Sequence, residues 1–238
     1  MLGNYILSGK SQASIALTVS TLVSLLLPPL AFLICGSVVA LMTLRKGVTV
    51  VLQILAASLI MLMAFSLLVN LPIKLVLVYI FIIWIPAWSV AMVLRFFEQQ
   101  GLLLVASGLL ATMLIVATYL VVGDVSGWWE QWLTVMIEKT VPPENISQYK
   151  ALLEPAVDMV NALMISGFML NVIMSVLFAR WWQSRLFNPG AFQEEFYALR
   201  LPSQILPVSG LVVLLLLLLS QPWQDLFRDI VVVLMFMY

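Results

Sequence analysis

Long apolar runs, separated by short polar breaks, dominate the chain. Runs near the ~20 helical residues that cross ~30 Å of hydrocarbon fall at 11–27, 29–44, 48–69, 73–94, 101–122, 157–179 and 204–220. The pattern predicts an all-α, polytopic transmembrane helical bundle of about seven spans, a single integral membrane domain over residues 1–238. An eighth run begins near Ile230 and stops at Tyr238. Nine residues of helix rise only ~14 Å, so this run is either an incomplete eighth span or an interfacial segment. The first two runs are short and are parted by Pro28-Pro29. Proline breaks the backbone ladder and disfavours helix in the residue before it, which predicts a tight helical hairpin there.

Two stretches depart from the apolar pattern. In 123–156, Trp128, Trp129, Trp132, Leu133, Val135 and Met136 recur at helical spacing, while Glu130, Gln131, Thr134 and Glu138 fill the other face. This predicts an amphipathic helix lying in the membrane interface, ended by Pro142-Pro143. A second short helix follows, bending at Pro155 into the sixth span. The segment either anchors the surface passively or covers an outward-opening cavity. In 180–203, Arg180, Trp181, Trp182 and Arg185 stand where the sixth span leaves the bilayer, and Asn188-Pro189-Gly190 reads as a turn. Phe192, Phe196 and Leu199 then repeat on one side of a short interfacial helix, opposite Gln193, Glu194 and Glu195. Arg180 or Arg185 is expected to pair with Glu194 or Glu195. The segment serves either as an anchored loop or as a contact for a cytoplasmic partner that includes Arg200.

Composition strengthens the membrane reading. The chain is 63% hydrophobic and 9% charged, with mean hydropathy +1.13, against about 25% charge in soluble domains. Lysine and arginine balance the acids at 11 each, so no basic excess points to nucleic acid. Without histidine and with one cysteine, Cys35, the chain lacks the usual transition-metal ligands and any internal disulfide. No metal and no cofactor is expected.

With the N-terminus in the cytoplasm, Lys10, Arg45, Lys46, Arg95, Arg180, Arg185 and Arg200 lie inside, and Lys74, Lys139, Lys150 and Arg228 outside. This is the orientation favoured by the bias of basic residues toward the cytoplasm. It places 123–156 outside and 180–203 inside.

Two helix faces are candidates for function. Ala13, Ala16, Ser20 and Ser24 lie on one face of the first helix. Small residues there permit close helix approach, either within the bundle or against a partner membrane protein. In the sixth span Glu154, Asp158, Asn161, Met164, Phe168, Asn171 and Ser175 follow one another at steps of three or four. Polar groups at membrane depth face a bundle interior or a watery cavity. Asp158, Asn161, Phe168 and Asn171, with Trp84 and Trp88 beside the Pro86 kink of the fourth span, outline a candidate cavity for a neutral or weakly charged organic solute. The alternative is that Asp158 sits among headgroups while the asparagines bond to neighbouring helices.

Ala179 to Pro202, "ARWWQSRLFNPGAFQEEFYALRLP", resembles the signature of the YybS-like family of predicted bacterial membrane proteins. The matching positions are Arg180, Trp181, Trp182 and Gln183; Asn188, Pro189, Gly190 and Phe192; Glu195 and Phe196; Leu199, Arg200 and Leu201. Ala191 stands where the family carries a second glycine. The early Pro-Pro pair and Thr43 to Gly47, "TLRKG", are similar to the family as well. That family has no established activity, and its members usually extend past a seventh span. It is distantly similar to the substrate-binding subunits of energy-coupling-factor vitamin transporters. The resemblance therefore implies a bacterial inner membrane, a small-residue face that docks a coupling subunit, and outer loops closing over a vitamin-like solute.

Two expectations follow for function. One is a solute-binding or transport subunit, the other a non-catalytic scaffold that contacts partners through 180–202. A membrane-embedded enzyme is the weakest class, because clustered acids, a nucleophile with its base, or a metal site are missing from the pattern. A phosphate-binding loop of the GxxxxGK[ST] type is also missing.

Overall fold

A computed structural model describes residues 2–27, 30, 32–221 and 223–238. Helices α1 (Leu2–Ser8), α2 (Lys10–Leu26), α3 (Ser37–Lys46), α4 (Val48–Leu68), α5 (Ile73–Tyr79), α6 (Ile85–Phe97) and α7 (Gln100–Val122) come first. After them come α8 (Val125–Thr140), α9 (Ile146–Leu153), α10 (Val157–Phe187), α11 (Ala191–Tyr197), α12 (Ile205–Leu218) and α13 (Trp223–Met237). Among the described residues there is no strand. The expected proline hairpin at Pro28-Pro29 lies outside the described residues.

Among the described residues, four helical stretches are long and apolar enough to cross a membrane: Val48–Leu68, Ile73–Phe97, Gln100–Val122 and Pro143–Phe187. The most apolar stretch of α4 has mean hydropathy 2.4, yet only 22% of it is buried within the protein. A helix apolar on its exposed as well as its buried face is stable in lipid, not in water. Leu68 is 82% exposed and Val121 85%, which fits the same solvent. Among the described residues, the other apolar runs form shorter helices. At 1.5 Å per residue, the 14 residues of α12 reach ~21 Å.

Local chemistry sets the breaks. Pro86 lacks an N–H, and the helix ahead of it widens into a π turn over Ile80–Trp84. There the Ile85 N–H reaches back five residues to the Ile80 carbonyl. Val122 is followed by Gly123 at φ +76°, a conformation that glycine adopts without steric cost. Asp124 Oδ1 then accepts from the Gly127 N–H at 3.0 Å and caps α8. The final helix begins at Trp223, not near Ile230, because Asp225, Arg228 and Asp229 interrupt its apolar pattern without interrupting the helix.

The helices gather into two compact units: Met1–Ser107 with Leu170–Leu201, and Gly108–Met169 with Pro202–Tyr238. In the first unit α2 packs on α3 and α4, and α3 on α6. Buried hydroxyls there bond back to their own helix, as Thr18 to Ser14 O (2.9 Å), Thr21 to Leu17 O (2.8 Å) and Ser24 to Ser20 O (2.7 Å). Each donor is thereby satisfied without water. Ser58 Oγ instead crosses from α4 to the Ser14 carbonyl at 3.1 Å. In the second unit α12 packs on α13 and α8 on α9. A Cβ on Gly108 would stand 2.1 Å from Met237 Sδ, so any larger residue there makes the flexible Met237 side chain shift.

Candidate functional site

The second unit contains a buried polar cluster built from four helices. Asp229, on α13, is fully buried. Its Oδ2 accepts from Asn161 Nδ2 at 2.7 Å and from the Tyr119 hydroxyl at 3.2 Å. Trp129 Nε1 donates to Asn161 Oδ1 at 3.3 Å. An indole N–H can only donate, so it fixes the Asn161 amide with its oxygen toward Trp129 and its nitrogen toward Asp229. Asp229 Oδ1 makes no hydrogen bond among the described residues, and Arg228 Nε lies 3.8 Å from it. Arg228 is held elsewhere, by Asp225 Oδ1 at 2.8 Å and the Asp158 carbonyl at 2.7 Å.

Helix registry brings these groups together. Tyr119 is one turn from the end of α7 and Asn161 one turn from the start of α10. On α13, Leu226, Ile230, Val233 and Met237 are buried at steps of four, three and four, and Asp229, one turn before Val233, belongs to the same packed face. An ionised carboxylate out of water is costly unless its lone pairs are bonded. The two donors on Oδ2 offset part of that cost.

The second unit also holds cavities, and Tyr119 puts one of them beside the cluster. One, of about 590 Å³, is lined by Tyr119, Gly123, Asp124, Asp158, Trp223 and Asp225. The other, of about 510 Å³, lies between α8, α9 and the start of α10, with Glu130, Ile137, Lys150, Glu154 and Asp158 in its wall. Lys150 pairs with Glu138 at 2.9 Å across α8 and α9. Asp158 is thus exposed at the mouths of both cavities, and Asn161 is buried beneath it.

The sequence-based site residues separate on the structure. Met164, midway along the expected α10 stripe, is 58% exposed, so the stripe does not line one continuous cavity. Asp158, Asn161 and Phe168 belong to the second unit, whereas Asn171, Trp84 and Trp88 belong to the first. Trp84 is buried and donates to Cys35 Sγ at 3.0 Å, and Thr21 Oγ1 lies 3.4 Å from the same sulfur. That indole belongs to packed core, not to a cavity wall. Trp88 is half-buried, and its Nε1 finds no acceptor among the described residues.

The small-residue face is also redistributed. Ala13, Ser20 and Ser24 are buried within the first unit, where small side chains permit close helix approach. Ala16 alone stays half-buried, lining an apolar groove with Ile15, Val19 and Val23. Around the 180–203 segment, α10 runs on to Phe187, so Arg180, Trp181, Trp182 and Arg185 are all helical. Arg180 Nε bonds Glu195 Oε2 at 2.9 Å, and its Nη2 bonds Glu195 Oε1. The Arg185 guanidinium lies 5.5 Å from the Trp181 ring. Glu194 and Arg200 are exposed.

Asp229, Tyr119, Trp129 and Arg228 were not among the site residues expected from the sequence. The available signal was Asp225, Arg228 and Asp229 at helical steps beside an apolar run. That pattern also fits a polar loop, and only the packing partner separates the two. Compared with family models, curated proteins and solved structures, the chain finds no match.

Proposed function

We propose that this multi-pass membrane protein binds a small organic solute and serves as the solute-binding subunit of a transport system. The observation that supports this reading is the buried Asp229–Asn161–Tyr119 cluster beside the 590 Å³ cavity that Tyr119 also lines. Tyr119 connects the two, so a solute that bonds its hydroxyl acts on the Asp229 carboxylate directly. Three aspartates and two aromatic rings in that wall favour a solute with N–H or O–H donors and a flat or apolar body. The amphipathic α8 and α9, with the second cavity beneath them, suit a cover that opens and closes.

The reading includes seven crossings of a bacterial inner membrane, with the N-terminus and 180–202 in the cytoplasm. It includes membership of the YybS-like family, and a separate partner membrane protein that supplies the energy. The chain itself carries out no catalysis in this scheme. A second reading, a scaffold holding a partner through 180–202, draws on the exposed Glu194, Phe196, Tyr197 and Arg200 of that segment.

Native mass spectrometry of the gently extracted chain, with thermal-shift screening of small organic solutes, tests the choice. A binder carries a small-molecule adduct, and a solute at 100 times its Kd stabilises it by about 2.7 kcal/mol. Asn161→Leu removes both effects. If the native chain shows neither and a protein co-purifies through 180–202, the scaffold reading replaces the solute reading.

A further inference from the structure

The first unit contains a polar cavity of about 440 Å³ whose wall includes Arg45, Arg95, Glu98, Arg180, Gln183 and Glu195. Three arginines far apart in sequence meet there from the ends of α3 and α6 and from α10. They are not equivalent. Arg180 is committed: its Nε and Nη2 hold Glu195, and its Nη1 donates to Gln183 Oε1 at 2.9 Å. Arg45 and Arg95 have no carboxylate partner among the described residues.

The bonds that these two arginines do make leave donors for a ligand. The Arg45 guanidinium stacks 3.9 Å from the centroid of the Phe187 ring. Stacking uses the face of the guanidinium and leaves its in-plane N–H fork open. Arg95 spends Nη1 on the Thr43 carbonyl at 2.6 Å, and its remaining N–H groups have no acceptor among the described residues. Three guanidiniums against Glu98 and Glu195 leave one net positive charge in the cavity wall. Two unpaired guanidiniums facing one polar cavity repel each other, and an oxyanion between them removes that repulsion. The fork matches the spacing of phosphate oxygens.

We propose that Arg45 and Arg95 form a binding site for a phosphate-bearing anion in this cavity. The anion is either the headgroup of an anionic lipid or a soluble phosphate. The ring of Trp181, with Arg185 over it, lies one residue along α10 from Arg180. Exposed tryptophan beside arginine marks headgroup depth in a membrane helix, where both sources are at hand. The site is independent of the solute cavity in the second unit.

The test uses the full chain in nanodiscs of phosphatidylcholine, with and without phosphatidylglycerol, and in phosphatidylcholine with inorganic phosphate. Lipid retention is read by native mass spectrometry and stability by melting temperature. Phosphatidylglycerol retained over phosphatidylcholine by about tenfold or more, and lost in Arg45→Gln/Arg95→Gln, establishes the lipid source. Stabilisation by phosphate alone, lost in the same variant, establishes the soluble source. Arg45→Lys/Arg95→Lys keeps the charge but not the fork, so it loses most of the preference and serves if the neutral variant fails to fold. Lys74→Gln/Lys139→Gln, outside the cavity, leaves binding unchanged. The proposal is overturned if the native chain discriminates neither lipid nor phosphate. It is overturned equally if the arginine variants bind like the native chain, or if the lysine control loses as much as they do.

Discussion

Replacing Asn161 with leucine probes the buried cluster most directly. The side chain performs two tasks at once, donating to Asp229 Oδ2 at 2.7 Å and accepting from Trp129 Nε1 at 3.3 Å. Leucine does neither. A hydrogen bond to a charged group contributes about 1.5–3 kcal/mol, and a buried donor left without an acceptor costs about 1–3 kcal/mol. Asp229 keeps the Tyr119 hydroxyl, so the loss is partial, and the expected destabilisation is about 3–5 kcal/mol. At ~2–4 °C per kcal/mol for a chain of this size, the melting temperature falls by roughly 6–20 °C. Denaturant titration of the detergent-solubilised chain, read by tryptophan fluorescence, measures the free energy itself. A double-mutant cycle isolates the pair. Asp229→Leu removes the acceptor, and with no carboxylate left to satisfy, Asn161→Leu costs ~1.5–3 kcal/mol less in that background. If the two losses add within ~0.5 kcal/mol, Asn161 and Asp229 are not coupled and the cluster is not the centre described above.

Four further outcomes follow from the packing. Ala13→Leu destabilises the chain by ~1–3 kcal/mol through overpacking, since Ala13 is fully buried. On the proposed reading of a partner membrane protein docked at the α2 groove, Ala16→Leu leaves the melting temperature unchanged but abolishes capture of that partner in co-purification. Arg180→Ala frees α11 from α10, so the amides of 191–197 exchange with deuterium faster while those of α4 do not change. The stability loss stays near 1 kcal/mol, because both partners of the Arg180–Glu195 pair remain partly exposed. Gly190→Val forces a β-branched residue to φ +99° at a cost of about 1–3 kcal/mol. It weakens the same α10–α11 turn, with the same exchange signature.

What could be read along the chain is what depends on neighbours in sequence. The apolar runs became helices because a backbone surrounded by hydrocarbon bonds within its own segment. The amphipathic α8 followed from tryptophans at helical spacing, and the Asn188-Pro189-Gly190 turn from residues that accept its dihedrals. The pairing of Arg180 with Glu195, 15 residues apart across that turn, was accessible for the same reason.

What depends on distant partners was decided by the tertiary structure. Asp229 resembles a loop acid until α13 packs it against Asn161, 68 residues earlier, and Tyr119, 110 residues earlier. Trp84 resembles cavity lining until Cys35 accepts its N–H. The small residues of α2 resemble an open docking face until the packing of the first unit buries three of the four. Composition and periodicity describe the cost of placing a group, but the compensation comes from whichever helix lies opposite. Residue spacing constrains that helix too weakly to name it, because many pairings bury similar apolar area, and only the packed arrangement leaves each buried polar group its partner.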